Sequence, residues 1–200
     1  MRFRVLMILA CVLPLLSGCG DSELQRSDRK IRSCWVDVLS QYRQRADLVP
    51  KLIQLVAIHA GDGHAMVAEL KASLAQVSGL PRDPTWPPEE ASLAQVVDAQ
   101  SALTGALSRM TAFAERDPDL MADASFRDLR AQLDGSEGRV AAARNCLVHE
   151  IGLYNAAIGT FPHSFLAMIL DYPPQPAFVF DSVRPVSSAP PADFGGAVPR

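Results

Sequence analysis

The chain has 200 residues, with 19 Lys plus Arg against 22 Asp plus Glu, a formal net charge of −3, and 48% apolar residues. That length holds one domain with a core and a tail, and the mild acidity argues against nucleic acid as a partner, because such proteins concentrate positive charge on one face. The 4 cysteines form no CxxC pair and no zinc-ligand spacing.

In chain order, Arg2 and Arg4 precede an apolar run over residues 5–16, broken by Pro14, and small Ser17 and Gly18 follow. This is the pattern of a secretory signal peptide, and the run is too short to span a bilayer as a helix, which takes about 20 apolar residues. Because the small residues end on Cys19, the segment resembles a bacterial lipoprotein signal, whose thiol is acylated and whose cleavage site precedes the cysteine. An ordinary cleaved signal with a chance cysteine is the alternative. The expected organisation is a signal over 1–18, a folded body over 19–180 and a tail over 181–200. Acylation of Cys19 implies an extracytoplasmic body held on the inner or outer membrane without a spanning helix, each buried methylene contributing about 0.8 kcal/mol. Loss of Arg2 and Arg4 makes the mature charge −5. Arg26, Arg29, Lys30 and Arg32 follow the anchor within reach of anionic head groups, and most simply form the solvated face of a first helix.

From Ile31 the residues Trp35, Val38, Tyr42, Ala46, Val49, Ile53, Val56 and Ala60 recur in steps of three and four, which predicts an amphipathic helix. Pro50 removes a backbone donor from it, at about 3 kcal/mol in a helix interior. Two arrangements fit. One is a single helix from about residue 22 to 60, kinked at Pro50; the other starts a new helix, capped by Asp47, with Pro50 in its first turn. The unbroken apolar phase favours the kinked helix. Gly61-Asp62-Gly63 reverses the chain. A shorter helix over 64–77 places Val67, Leu70, Leu74 and Val77 on one face, and a loop with four prolines covers 79–88. Pro87-Pro88-Glu89-Glu90 open the next helix, which carries Leu93, Val96, Val97, Leu103, Leu107, Met110 and Phe113 and stops at Asp117-Pro118.

The last helix starts near Asp119 or Ala124 and runs through Phe126, Leu129, Leu133, Val140, Ala143, Leu147, Ile151, Tyr154, Ile158 and Phe161 to Pro162. Gly135, Gly138 and Gly152 lower its intrinsic stability by up to about 1 kcal/mol each and would let a neighbouring helix approach. Only residues 177–180 offer a strand-like run, so the fold class is all-α, with an up-and-down four-helix bundle and a long first helix as the architecture. There, the end of the last helix returns beside the tethered start of the first. The apolar stretch 161–180, with Phe165, Leu166, Met168, Ile169, Leu170 and Tyr172, then either caps the bundle or dips into the bilayer, and capping is the expectation. Cys34 lies about 18 Å along the first helix and Cys146 about 21 Å from the end of the last, at similar heights. A disulfide fits this placement, as do two separately buried thiols; the second is the expectation. From Ser182 the Pro-, Ser- and Ala-rich chain has little to bury and reads as a disordered tail.

No constellation of catalytic groups emerges. His149-Glu150-Ile151-Gly152-Leu153 begins like the helical zinc motif HExxH, but Leu153 stands where the second histidine belongs. His59 and His64 are five apart, about 140° around a continuous helix, and with Asp62 they form the weaker alternative of a metal-binding or hydrolytic site. His163 has no evident partner. Neither a phosphate loop nor a GxSxG nucleophile elbow occurs. The reading is a non-enzymatic protein without catalytic residues, resident metal or cofactor. Arg43, Arg45 and Asp47 form a polar cluster at the kink, where satisfying freed backbone groups is the simplest role.

The residues 41–52, QYRQRADLVPKL, resemble the signature stretch of the LemA family, Q-x-x-R-R-x-D-L-I-P-N-L. Cys34-Trp35 stands in place of the family's Ala-Trp. Further matches are Asp117-Pro118-Asp119-Leu120-Met121-Ala122, Phe126, Ser136-Glu137, Ala143-Arg144, Tyr154-Asn155, Phe161-Pro162 and Phe178-Val179-Phe180, in order over residues 24–180. Departures are Leu147-Val148 for the first of two Tyr-Asn pairs, Asp62-Gly63 for a His-Glu, and Lys51 for Asn. The resemblance implies a membrane-anchored four-helix bundle without an established reaction. It also suggests an adaptor role beside a membrane-protein partner, such as an envelope quality-control peptidase; the polar faces of the long first helix beside Arg43, Arg45 and Asp47 are the candidate docking surface. A purely structural protein at the membrane surface is a further alternative.

Overall fold

The apolar spacings form helices: the structure, a computed structural model, describes residues 2–80, 85–161 and 163–176, and no strand occurs among them. The strand-like run 177–180, the tail 181–200 and loop residues 81–84 lie outside the described residues. Helix α1 (Arg2–Ala46) is continuous through residue 22, where the periodicity alone placed its start. It is followed by α2 (Val49–Ala60), α3 (Ala65–Ser78), α4 (Glu90–Ala114), α5 (Pro118–Ala122), α6 (Ala124–Ile158) and α7 (His163–Ile169).

The single kinked helix expected through Pro50 is instead two helices. The Leu48 amide donates to the Arg45 carbonyl at 3.2 Å, a tightened turn, and Pro50 is the second residue of α2, where a missing N–H leaves no intrahelical bond unmade. Leu48 rather than Asp47 is the cap, with helical dihedrals and no side-chain cap bond. The apolar phase survives because the break costs only two residues. Gly61 ends α2 at φ 88°, a left-handed conformation that glycine adopts without a side-chain clash. Three later starts carry side-chain caps: His64 accepts from the Met66 amide, Asp117 from Asp119 and Leu120, and Asp123 from Phe126. Asp117-Pro118 thus both ends α4 and starts the extra short α5, whose Leu120 is fully buried.

Two apolar clusters fill the interior. One is built by Ile31, Trp35, Val38 and Tyr42 of α1, Leu147, Ile151 and Tyr154 of α6, Val96 of α4, and Trp86 from the loop. The second gathers Leu52 and Val56 of α2, Val67 and Leu70 of α3, Leu103 and Met110 of α4, Leu120 of α5, and Phe126 and Leu129 of α6. At about 1.5–3 kcal/mol for each large side chain removed from water, burial outweighs the weak intrinsic helicity of the glycine-containing α6. Gly138 and Gly152 admit no neighbouring helix: a Cβ on either meets nothing within 4 Å, and both are exposed.

Helices α1 and α6 lie side by side, and Cys34 and Cys146 are disulfide-bonded across them, with Cα atoms 5.8 Å apart. Separate thiols were the expectation; the similar heights of the two residues allow the bond. Beyond α6, α7 packs on both α1 and α6, and the chain then turns back along α6. Asn155 holds that return segment through its Nδ2, which donates to the Gln175 carbonyl at 2.9 Å, and its Oδ1, which accepts from the Gln175 amide at 2.8 Å. The Tyr154 hydroxyl donates to the Pro173 carbonyl, and the Trp86 indole to Gln175 Oε1.

Candidate functional site

The residues of the 41–47 stretch divide by helical face. Gln41 Oε1 accepts from Arg139 Nε of α6 at 3.3 Å, and the Tyr42 hydroxyl accepts from Arg144 Nε at 2.8 Å, with the Arg144 guanidinium 5.2 Å from the Tyr42 ring centre. Arg45 turns the other way, into α4: its Nη2 donates to Gln100 Oε1 at 2.6 Å and its Nη1 to Thr104 Oγ1 at 3.0 Å. The signature therefore ties α1 to α6 and to α4 at one level.

Arg45 is only 2% exposed. It was a candidate for the docking surface together with Arg43 and Asp47; the structure removes it from that role, because its guanidinium is spent on an interior contact. Burial pushes its pKa below the usual arginine value, the charge of Glu137 opposes that, and Arg144 adds to it. Burial likewise pushes the Tyr42 phenol up, against the pull of Arg144. Arg45 Nε and Gln100 Nε2 are buried without a hydrogen-bond partner, and an unmade bond of this kind costs about 1–3 kcal/mol. Sequence reasoning passed over Gln100, although it stands on the buried stripe of α4 between Val96 and Leu103, where a polar residue is itself the signal.

Arg43 and Asp47 are exposed and share a cleft of about 480 Å³. Leu39, Tyr42 and Ala46 of α1, Val77 and Ser78 at the end of α3, Leu80 beyond it, and Val96 and Gln100 of α4 line it as well. Among the described residues no ion pair engages Arg43 or Asp47. The cleft thus offers an apolar lining, one fixed charge of each sign, and a buried amide beside them.

The metal alternative is not assembled. His59 Nδ1 bonds to the Leu55 carbonyl at 3.0 Å, Asp62 accepts from Lys71 Nζ at 2.9 Å, and His64 is spent as the α3 cap with its ring 4.9 Å from that of Phe113. No group of three or more His, Cys, Asp or Glu that could hold a metal occurs among the described residues. His149 is exposed on α6 and Leu153 points to solvent beside it. His163 has a partner the sequence did not reveal, its Nε2 lying 3.3 Å from the Glu23 carboxylate. The backbone of residue 19 is helical within α1, and no helix among the described residues is long and apolar enough to cross a membrane.

The model of the LemA family matches residues 34–194, and no curated protein matches the chain. The matched span includes Gln41, Tyr42, Arg43, Arg45 and Asp47, and also Arg144, Tyr154 and Asn155, whose contacts hold α6 against α1 and against the returning chain.

Proposed function

Because the chain belongs to the LemA family, we propose that it is a non-enzymatic adaptor, a bundle of four helices anchored by lipid at Cys19 on the extracytoplasmic side of a bacterial membrane. The cluster memberships support the bundle topology. Leu24 of α1 belongs to one cluster and the cores of α2, α3 and α5 to the other, while α4 runs from Val96 of the first to Ala114 of the second and α6 from Phe126 of the second to Tyr154 of the first. Long helices that cross between the two clusters in this way are what an up-down-up-down bundle of antiparallel neighbours would give. The signal pattern over 1–18 supports the anchor.

The observation that carries the adaptor reading is the cleft at the α1–α2 break, where Arg43 and Asp47 are exposed and make no ion pair among the described residues, while Tyr42 and Arg45 beside them are consumed by the fold. A partner segment of mixed apolar and charged character fits it, and a membrane protein resident in the same bilayer is the partner class that the anchor makes reachable. The test is a photo-crosslinker at Ser78, in cells, on chains with and without Arg43→Glu. Recovery of one membrane protein that disappears with Arg43→Glu supports the cleft. An unchanged crosslink pattern overturns it. Arg45→Glu does not serve, because it would bury a carboxylate beside the Gln100 oxygen and test folding instead.

A further inference from the structure

We propose that the exposed face around α7 is a membrane-contacting surface, with Phe161, Phe165, Met168 and Ile169 inserted into the bilayer interface beside the acylated Cys19; this rests on the lipid-anchor reading above. Nine large apolar side chains stand exposed among the described residues, and five of them, Phe161, Phe165, Met168, Ile169 and Leu170, fall within ten positions. Phe161 is 87% and Met168 74% exposed. The others, Val36, Ile58, Val148 and Leu153, are dispersed over α1, α2 and α6. Scattered exposure is ordinary, whereas a contiguous apolar patch marks a surface with an occupant.

The position of the patch selects the occupant. α7 packs on α1, and His163 Nε2 lies 3.3 Å from the Glu23 carboxylate. Cys19 is four residues earlier in the same continuous helix, about 6 Å along its axis. Interfacial helices bury their apolar side about 5–10 Å into the headgroup and acyl boundary, so a lipid chain on Cys19 brings the patch to that depth without rearrangement. The return segment keeps the face turned outward. Tyr154 and Asn155 clamp Pro173 and Gln175 onto α6, and Tyr172 packs against the core, so α7 is held on both sides with Phe165, Met168 and Ile169 left exposed.

A second copy of the chain is the competing occupant, but five side chains make a small patch beside the roughly 1,200–2,000 Å² that stable protein interfaces bury. Lipid charge plays a minor part. Arg26, Arg29 and Lys30 are exposed close to the anchor, but Glu150 shares their groove, Asp28 pairs with Arg32, and Glu23 is exposed. Contact is therefore apolar, and phosphatidylcholine is a sufficient probe.

The experiment places Phe165→Trp, and separately Met168→Trp, in the full acylated chain, reconstituted in phosphatidylcholine vesicles with acyl chains brominated near the headgroup. Trp35 and Trp86 are buried and supply a constant background; Val148→Trp, exposed on α6, is the control. The expected result is a blue shift and loss of most of the added emission at 165 and 168, with Val148→Trp still open to aqueous acrylamide. An added tryptophan that stays unquenched by bromine and open to acrylamide overturns the proposal. One shielded from both overturns it in favour of a second copy or another part of the chain. Intact mass separates the anchor from the face. If Cys19 carries no acyl group, the anchor reading fails, and the bare chain added to the same vesicles decides the face: quenching retains it, and absence of quenching removes it.

Discussion

The two halves of the interior are built by different means. Around Trp35, Trp86 and Tyr154 the core is aromatic and held by ties between residues remote in sequence: the Cys34–Cys146 bond over 112 residues, Tyr42 with Arg144, and Asn155 with Gln175. Around Leu52, Val67, Leu103 and Phe126 it is mainly aliphatic, drawn from α2 to α6, and the starts of α3, α5 and α6 there are fixed by side-chain caps three residues or fewer away. The difference teaches that the half bearing α7 carries the covalent tie and the tyrosine and asparagine ties, whereas the other half rests more on caps and burial, with the Arg109–Glu69 pair on its surface. Arg45 stands at the seam, joining α1 to α4 where the two clusters meet.

Replacing Cys34 and Cys146 together by alanine is the strongest way to break this contrast. Releasing a cross-link over so long a loop should cost about 4 kcal/mol, read from urea unfolding, and hydrogen exchange should rise in α1 and the second half of α6 more than in α2 and α3. Equal loss of protection in both halves would show that they are one cooperative unit. Arg45→Ala should cost about 3 kcal/mol, because two charge-assisted bonds vanish and the Gln100 oxygen is left buried. Asn155→Ala should cost about 1–2 kcal/mol and loosen only the return segment. In the opposite direction, Gly138→Ala and Gly152→Ala should each stabilise by up to about 1 kcal/mol, since both sit in helix with open space at the Cβ.

The smallest effect concerns pH. Burial raises the folded-state pKa of Tyr42 above its ordinary 10.0. The contribution of the neutral phenol is therefore fully present below pH 10 and is lost as pH rises through the folded value. Urea midpoints of the parent should fall across that alkaline range with a steeper slope than those of Tyr42→Phe.

Much of the helical architecture was legible in the sequence because periodicity reports burial directly: Val67 and Leu70, or Leu129, Leu133 and Val140, face inward as their spacing requires. The break at residues 47–48 was not, because two residues of tightened turn leave the apolar phase intact, and phase was the signal used. Site residues split along a similar line. Arg43 and Asp47 stand exposed as a polar cluster suggests, but Arg45, in the same pattern, is interior. Only knowing that Gln100 and Thr104 face it from α4 distinguishes the three. The disulfide had the same difficulty, since helix height can be counted from sequence but the azimuth of two helices about each other cannot. Contacts across the fold, such as Glu23 with His163, leave no local mark at all.

The bond between Cys34 and Cys146 also decides how the protein bears load. Tension between the N-terminal end of α1 and anything gripping the cleft at Arg43 enters a single helix, and at Cys34 it is shared covalently with α6. A pull on α1 is therefore passed covalently to α6 at Cys34, while the turns of α1 between Cys34 and Arg43 stay in the path of the load.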